Sequence, residues 1–409
     1  MQKQVLIIIP NLGRGGAQKV FRQQLKFLSS FYHVTGCVFN WEGAFEEDRS
    51  ANIISLDVPA GKNVLQKISY FIQRIIRLNK IKKLNKIDVA ISHLEGADYV
   101  NVFSRINEKT ICWIHGSKQH DQNIGGLVGL LRARLLMPLV YRRANRIVTV
   151  SSGIKKELSD SISGIANRVQ VVYNGFQVES ILSLADKPLD SDYRILFEKH
   201  HIIITHCRLS RQKNLRALLK VFYQLSKIYP AKLALVGDGE VRQELLTLSE
   251  ELNLKAWTSW NKQPMDETSD VYFIGHQSNP FKFLRHSKLY VMTSNWEGFP
   301  LSLCEAMVCG LNVVATDCFT GPREIISPEL KATQPVSAAY HNSNGVIMPL
   351  VDEHDERTIV YWVQELANVI RAEQTDVHKL RSGVERINQF ELSESMNQTV
   401  NLVREITNE

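Results

Sequence analysis

Short continuous apolar runs alternate with amphipathic stretches along most of the 409 residues. Residues 5–9 read as a buried strand, and 17–28 repeat their apolar positions at helical spacing. Further strand-like runs fall at 34–39, 53–58, 89–92, 110–114, 146–150 and 169–172, with helical patterns over 64–84, 127–144 and 153–159. Pro138 predicts a break within 127–144. Strands apolar along their whole length, each followed by a helix, predict parallel sheet covered on both faces.

The rhythm lapses over 177–200, a polar stretch containing Asp186, Pro188, Asp190 and Asp192, and then restarts. Strands at 202–207, 232–236, 271–274, 289–293, 312–315 and 346–348, with helices over 214–228 and 240–252, repeat the same order. Two doubly wound α/β domains fit this pattern at about 100–200 residues each. The expected boundaries are 1–185 and 198–385. The tail from 356 is helical with no strand after it, and 386–409 is expected to cross back to the first domain.

Apolar residues make up 44% and charged residues 22% of the chain, which excludes a disordered protein. The opening apolar run is too short for a signal-peptide core, and no stretch approaches the ~20 apolar residues of a membrane span. Cys37, Cys112, Cys207, Cys304, Cys309 and Cys318 form no Cys-x-x-Cys pair, which predicts free thiols in a reducing, cytoplasmic compartment. Net charge is +7 and unevenly placed. Lys62, Lys67, Arg74, Arg77, Lys80, Lys82, Lys83 and Lys86 follow one another without an acid, as do Arg132, Arg134, Arg142, Arg143 and Arg146. Removing these thirteen cations from +7 leaves the rest of the chain at −6.

In doubly wound sheets ligands bind at the carboxyl ends of the strands. The first strand runs into Gly13-Arg14-Gly15-Gly16, whose glycines allow close backbone approach ahead of helix amides that attract an anion. The spacing is not the dinucleotide fingerprint, and a tight turn explains it equally well. Arg208 and Lys213 flank a later helix start, an arrangement suited to a diphosphate or to a solvated basic surface. Gly237 and Gly239 make another strand-end turn. Glu297, Gly298, Phe299 and Pro300 then lead into a helix carrying Glu305. Two carboxylates beside helix amides suit sugar and ribose hydroxyls, or merely the helix dipole. Asp190-Ser191-Asp192 lies in the polar stretch and is discounted as a metal site.

With these residues in this order, the sequence resembles the retaining glycosyltransferases of family 4, of GT-B fold, and among them the bacterial surface-polysaccharide and lipopolysaccharide enzymes. Glu297-x7-Glu305 resembles the family's paired glutamates, with Glu-Gly-Phe-Pro in place of the usual Glu-Gly-Phe-Gly. Arg208 and Lys213 resemble its diphosphate pair, and Gly15-Gly16-Ala17-Gln18-Lys19 its amino-terminal glycine loop. Gly321-Pro322-Arg323-Glu324 resembles the segment that follows the glutamates.

The resemblance implies two Rossmann-like domains facing each other across a cleft, the first binding the acceptor and the second the nucleotide-sugar. It assigns Glu297 to hydroxyls of the transferred sugar, Glu305 to the ribose, and Arg208 and Lys213 to the departing diphosphate. It assigns His115 to the donor sugar. Gly15, Gly16, Gly237, Gly298, Phe299 and Leu301 would contact the donor through their backbone. A UDP-sugar is the favoured donor, with no cofactor and no metal. The acceptor is a glycan or a polyprenyl-diphosphate-linked sugar.

The helical pattern over 64–84 sets Val64, Leu65, Ile68, Phe71, Ile72, Ile75, Leu78 and Ile81 against lysines and arginines. Such a helix suits an anionic bilayer surface or a solvated sheet helix. Lys67, Arg74, Arg77, Lys80, Arg132 and Arg134 are the candidate surface, which would place the protein peripherally at the inner face of the membrane. The competing functions are a nucleotide-sugar epimerase of the same architecture and a basic nucleic-acid-binding protein. The second is disfavoured because the patches hold few aromatics for base stacking.

Overall fold

A computed structural model describes residues 2–13, 15–118, 126–261, 263–330, 334–372 and 378–408, with all their side chains except those of 47, 50, 126–128 and 378–381. The chain divides into two compact units: Met1–Gly175 together with Leu392–Glu409, and Phe176–Glu391.

The first unit holds seven parallel strands: β1 (Gln4–Ile9), β2 (His33–Val38), β3 (Ile53–Ser55), β4 (Val89–His93), β5 (Lys109–Ile114), β6 (Arg146–Thr149) and β7 (Val169–Val171), ordered β3-β2-β1-β4-β5-β6-β7. The apolar runs become strands because helices cover both faces. Val5 through Ile9 have no exposed surface. The last helix, Leu392–Thr407, belongs to this unit and is tied to it by Ser395 Oγ donating to the Tyr173 carbonyl at 2.7 Å. Gly175 is needed here, since a Cβ would lie 2.5 Å from Leu392 Cα.

The second unit holds β8 (His201–His206), β9 (Ala231–Val236), β10 (Ala256–Thr258), β11 (Val271–Gly275), β12 (Leu289–Met292), β13 (Asn312–Thr316), β14 (Tyr340–Asn342) and β15 (Gly345–Met348). Their order is β10-β11-β9-β8-β12-β13-β15-β14, parallel except for the β14–β15 pair. In each sheet growth crosses from one side of its first strand to the other, reversing between β1 and β4 and between β8 and β12. Those reversals open the crevices at the strand carboxyl ends where ligands bind in such folds.

Several expectations change. The polar stretch 177–200 folds into helices Val178–Ala185 and Ser191–Lys199. Helix Glu95–Phe103 left no apolar period because it buries Asp98 and Asn101 beside its apolar residues. Strands β10 and β14, three residues each, are too short to show a pattern. Pro138 does not end the helix: the chain stays helical from Gly126 to Arg143, with Leu136 and Met137 both in the helical backbone region, so the missing N–H is absorbed within a continuous helix. The irregularity lies just before the proline, as a π-helical turn over Arg132–Leu136. All six cysteines are free. Among the described residues, no helix is long and apolar enough to cross a membrane.

The basic patches are corrected most. In helix Val64–Leu84, Arg74 lies over the Phe39 ring (4.5 Å) and donates to the Pro59 carbonyl at 2.7 Å, while Arg77 donates to the carbonyls of Leu56 and Asp57. Arg132 is buried and bridged to Glu95. Arg74 and Arg132 are engaged within the fold and are not a free surface; Arg77, though bonded to those carbonyls, is exposed, as are Lys67, Lys80 and Arg134. Lys82, counted with the patch, is buried, with its ammonium 2.7 Å from Glu108 and bonded to Asn101 at 2.7 and 2.8 Å. Burial pulls its pKa down to about 8 against the opposing pull of Glu108. Removing one partner of a buried pair strands the other charge at a cost of about 3–5 kcal/mol, whereas an apolar pair of similar volume is near neutral. Lys82→Met should therefore lower stability strongly in urea titration, and adding Glu108→Leu should recover most of the loss.

Candidate active site

In the second unit, β8 leads through Arg208 into a 3₁₀ turn, Arg211–Lys213, and then Asn214, whose left-handed backbone (φ 50°) opens helix Leu215–Ser226. The Asn214 amide holds this conformation by donating to the Val351 carbonyl at 2.9 Å. The loop after β12 is laced to that turn: Asn295 N donates to Gln212 O at 2.8 Å, Gln212 Nε2 to Trp296 O at 2.7 Å, and Thr293 Oγ1 to Lys213 O at 3.1 Å. Where the loops meet, Lys213 Nζ lies 2.5 Å from Glu297 Oε1, which also accepts from Ser294 Oγ at 2.7 Å. Burial by itself would lower the Lys213 pKa, but the Glu297 carboxylate overrides it and the net shift is upward. Lys213 is therefore held as a cation.

A third loop buttresses the second. Thr316 Oγ1 donates to the Ser294 carbonyl at 2.8 Å, and Thr320 Oγ1 to that of Glu297. Gly321 has φ 90°, and a Cβ there would lie 2.7 Å from the Gly298 carbonyl. Arg323 pairs with Asp317, which also accepts from Val336 N at 2.7 Å. The Gly-Pro-Arg-Glu segment thus holds the Glu297 loop in shape.

The other predicted residues separate around this cluster. Glu305 is buried on helix Leu301–Val308, its Oε2 3.6 Å from His206 Nδ1, a buried nitrogen with no hydrogen-bond partner. Arg208 is not gathered with Lys213; it is exposed and pairs with Glu240 at 3.1 Å. Gly237 and Gly239 have a packing reason, since Cβ atoms there would lie 1.8 Å from Cys207 O and 2.2 Å from Leu209 O. The Phe299 ring packs on Phe390 (5.1 Å) and Phe176 (6.5 Å), which leaves only its backbone for a ligand. Helix Leu301–Val308 has neither a side-chain cap nor an acid in its first turn.

In the first unit, Gly15 precedes helix Gly16–Leu28, which likewise lacks a side-chain cap and a first-turn acid; Arg14 lies outside the described residues. Arg22 secures the loop by donating to the Leu12 carbonyl at 2.6 Å while paired with Asp48. His115 follows β5, with Nε2 2.8 Å from His93 Nδ1. The next residues are pinned by Glu157, which accepts from Ser117 Oγ and Lys118 N at 2.6 Å each. Lys118 and Arg132 converge on Glu95, whose carboxyl burial would raise and the two cations lower; the net pKa is about 2.

Residues 14–180 match the family model described as Glycosyltransferase Family 4, and residues 194–340 the model described as Glycosyl transferases group 1. The chain belongs to glycosyltransferase family 4. It is 28% identical over 352 residues to a glycosyltransferase of Methanocaldococcus jannaschii, covering 81% of this chain and 82% of that one. It is 26% identical over 336 residues to a Campylobacter jejuni enzyme named N-acetylgalactosamine-N,N'-diacetylbacillosaminyl-diphospho-undecaprenol 4-alpha-N-acetylgalactosaminyltransferase, covering 79% and 83%. The solved structure of Anabaena HepE with UDP and glucose superposes with a TM-score of 0.72 at 19% identity, covering 98% of this chain and all of that one. The GT-B fold is thereby established.

Gln212, Ser294, Thr320, Arg22, Gln24 and His93 were not legible as site residues. Each acts by a side-chain bond to a loop or residue distant in sequence, except Ser294, whose position beside Glu297 was the available signal.

Burial, reinforced by Lys118, depresses the His115 pKa to about 3. Below pH 6.5 the unfolded chain takes up a proton that the native imidazole refuses, so the stability this residue contributes is complete above pH 6.5 and lost as pH falls towards 3. At pH 5 the loss is about 2 kcal/mol. Urea midpoints at pH 8 and pH 5 should show a steeper acid decline for the wild type than for His115→Asn.

Proposed function

We propose that this glycosyltransferase moves a sugar, with retention of anomeric configuration, from a UDP-sugar to a glycan or polyprenyl-diphosphate-linked acceptor in bacterial cell-surface polysaccharide synthesis. The observation that carries the reading is the buried Lys213–Glu297 pair at the β8–β12 reversal. A fixed cation beside a fixed carboxylate, next to a helix start without acid, suits a ligand that is phosphate at one end and hydroxyls at the other. Glu297 accepts from hydroxyls of the transferred sugar, Glu305 from the ribose, and Lys213 stabilises the diphosphate. Arg208, exposed on its loop, can turn from Glu240 to the same diphosphate. The names of the relatives support the class of acceptor, and the UDP in HepE is in keeping with the donor.

In the step itself the bond between the anomeric carbon and the diphosphate oxygen breaks, and the electron pair leaves with the diphosphate. An acceptor hydroxyl forms the new bond on the same face and gives its proton to the departing phosphate oxygen. Preorganised charges aimed at the leaving group act most strongly where water is excluded. The reading assigns no metal to this step, because Lys213, Arg208 and the helix amides carry the counter-charge.

The membrane part of the reading rests on the first unit. Leu65, Ile68, Ile72 and Ile76 are exposed at three- and four-residue steps along helix Val64–Leu84, beside the exposed Lys67, Lys80 and Lys83. Leu131, Leu135 and Leu139 are exposed near Arg134. Apolar residues flanked by lysine and arginine suit an anionic bilayer at the cytoplasmic face.

Glu297→Gln and Lys213→Ala should each lower transfer from the correct UDP-sugar by about 10²–10³, the cost of losing one preorganised group. A thermal-shift screen against sugar nucleotides identifies that donor. Unimpaired turnover in Glu297→Gln sinks the assignment, and UDP release without any acceptor supports an epimerase instead. In sedimentation with vesicles, the wild type should bind those containing anionic lipid at low salt, and Leu65→Ser/Ile72→Ser should lose most of that binding. Equal recovery of the two proteins contradicts the surface assignment.

A further inference from the structure

One row of polar side chains in the first unit does more than fill space. His93, at the carboxyl end of β4, is fully buried, stacked on Trp113 (5.7 Å between centroids) and edge-on to Phe21 (6.2 Å). Its Nε2 lies 3.0 Å from Gln24 Oε1 and its Nδ1 2.8 Å from His115 Nε2. The next residue, Leu94, has φ 72°, a backbone conformation that costs a non-glycine residue energy and persists only where its surroundings enforce it. The Gln24 amide nitrogen is buried without a hydrogen-bond partner, so among the described residues the amide is engaged only through its oxygen.

The order of donors follows from what each atom can do. An amide oxygen only accepts, so His93 Nε2 carries the hydrogen. Burial, with His115 beside it, pushes the His93 pKa well down and keeps the ring neutral, which leaves Nδ1 as a lone pair. His115 Nε2 must then donate to it. His115 is neutral as well, so its Nδ1 is left without a hydrogen.

We propose that Gln24 and His93 are positioning residues that lock His115 in its Nε2–H tautomer, so that His115 offers Nδ1 as a hydrogen-bond acceptor to a substrate hydroxyl. This rests on the assignment of His115 to the sugar donor. The opposite tautomer would turn an N–H towards the hydroxyl and leave two lone pairs facing each other between the histidines. A positioned acceptor discriminates a sugar carrying a hydroxyl at that position from its deoxy analogue, because the deoxy compound leaves Nδ1 unpaired.

The test is a long-range ¹H–¹⁵N spectrum of the full-length, histidine-labelled protein without ligand, with signals assigned from His93→Gln and His115→Asn. Both histidines are expected as Nε2–H tautomers, unchanged between pH 8 and pH 5. An Nδ1–H or mixed pattern for His115, or titration near pH 6.5, overturns the proposal. Gln24→Leu, which removes the acceptor, should shift His115 to a tautomer mixture and lower kcat/KM about tenfold. Gln24→Glu, which keeps an acceptor, should restore the wild-type pattern. A mixed tautomer in Gln24→Leu with full transfer activity also overturns it. Absence of transfer by the wild type with every UDP-sugar refutes the functional reading instead and leaves the ligand-free spectrum standing, so the two failures are distinguishable.

Discussion

The second unit depends on one contact, the 2.5 Å pair between Lys213 and Glu297. Two opposite charges inside a protein must be held close and fully hydrogen-bonded, or their lost hydration outweighs their attraction. The surrounding structure meets that demand. Ser294 and Gln212 supply further donors to the carboxylate and its loop, and Thr320 ties down the Glu297 carbonyl. The Asp317–Arg323 pair stiffens the neighbouring loop, while Asn214 and Gly321 adopt positive φ to bring the segments together. These positions follow strands β8, β12 and β13, whose central apolar residues are buried.

The first unit solves the corresponding problem with neutral groups. At its sheet reversal stand His93 and His115, both held uncharged by burial, with Gln24 completing the row. Asp98, fully buried against Ser92 and Tyr141, has its pKa raised to about 7, chiefly by burial. Near these strand ends Lys118 and Arg132 share Glu95, and elsewhere in the unit Lys82 pairs with Glu108 and Arg22 with Asp48. A polar but uncharged strand edge suits hydroxyls, whereas a cation held beside a carboxylate, as in the second unit, suits the diphosphate of the proposed donor.

Net charge proved a coarse guide. Both clusters of cations were plain in the sequence, yet Lys82, Arg74, Arg77 and Arg132 spend their charge on Glu108, on carbonyls and on Glu95. A lysine on an amphipathic helix looks the same in sequence whether its ammonium reaches water or a buried glutamate 26 residues away. The apolar positions of that helix were plain as well, but not which of them, Leu65, Ile68, Ile72 and Ile76, stay exposed, because a helix with two apolar faces reads as one broad one.

Strand order along the chain, the glycine turns, Glu297, Glu305 and Lys213 were legible because each depends on local chemistry: apolar continuity, permissive backbone, or a charged residue at a strand end. The helix Glu95–Phe103 was not, since its buried Asp98 and Asn101 look like surface residues until their partners are in place. Nor were Gln24, Gln212, Thr320 and Arg22, whose partners lie between 10 and 85 residues away. The sequence by itself determined the parallel α/β layers, the family and the residues able to carry charge. Only the tertiary structure decided which of those charges pair, which histidines are buried side by side and which glycines are demanded by packing. Periodicity is written into neighbouring residues, but desolvation and hydrogen-bond partnership exist only once distant segments have been brought together.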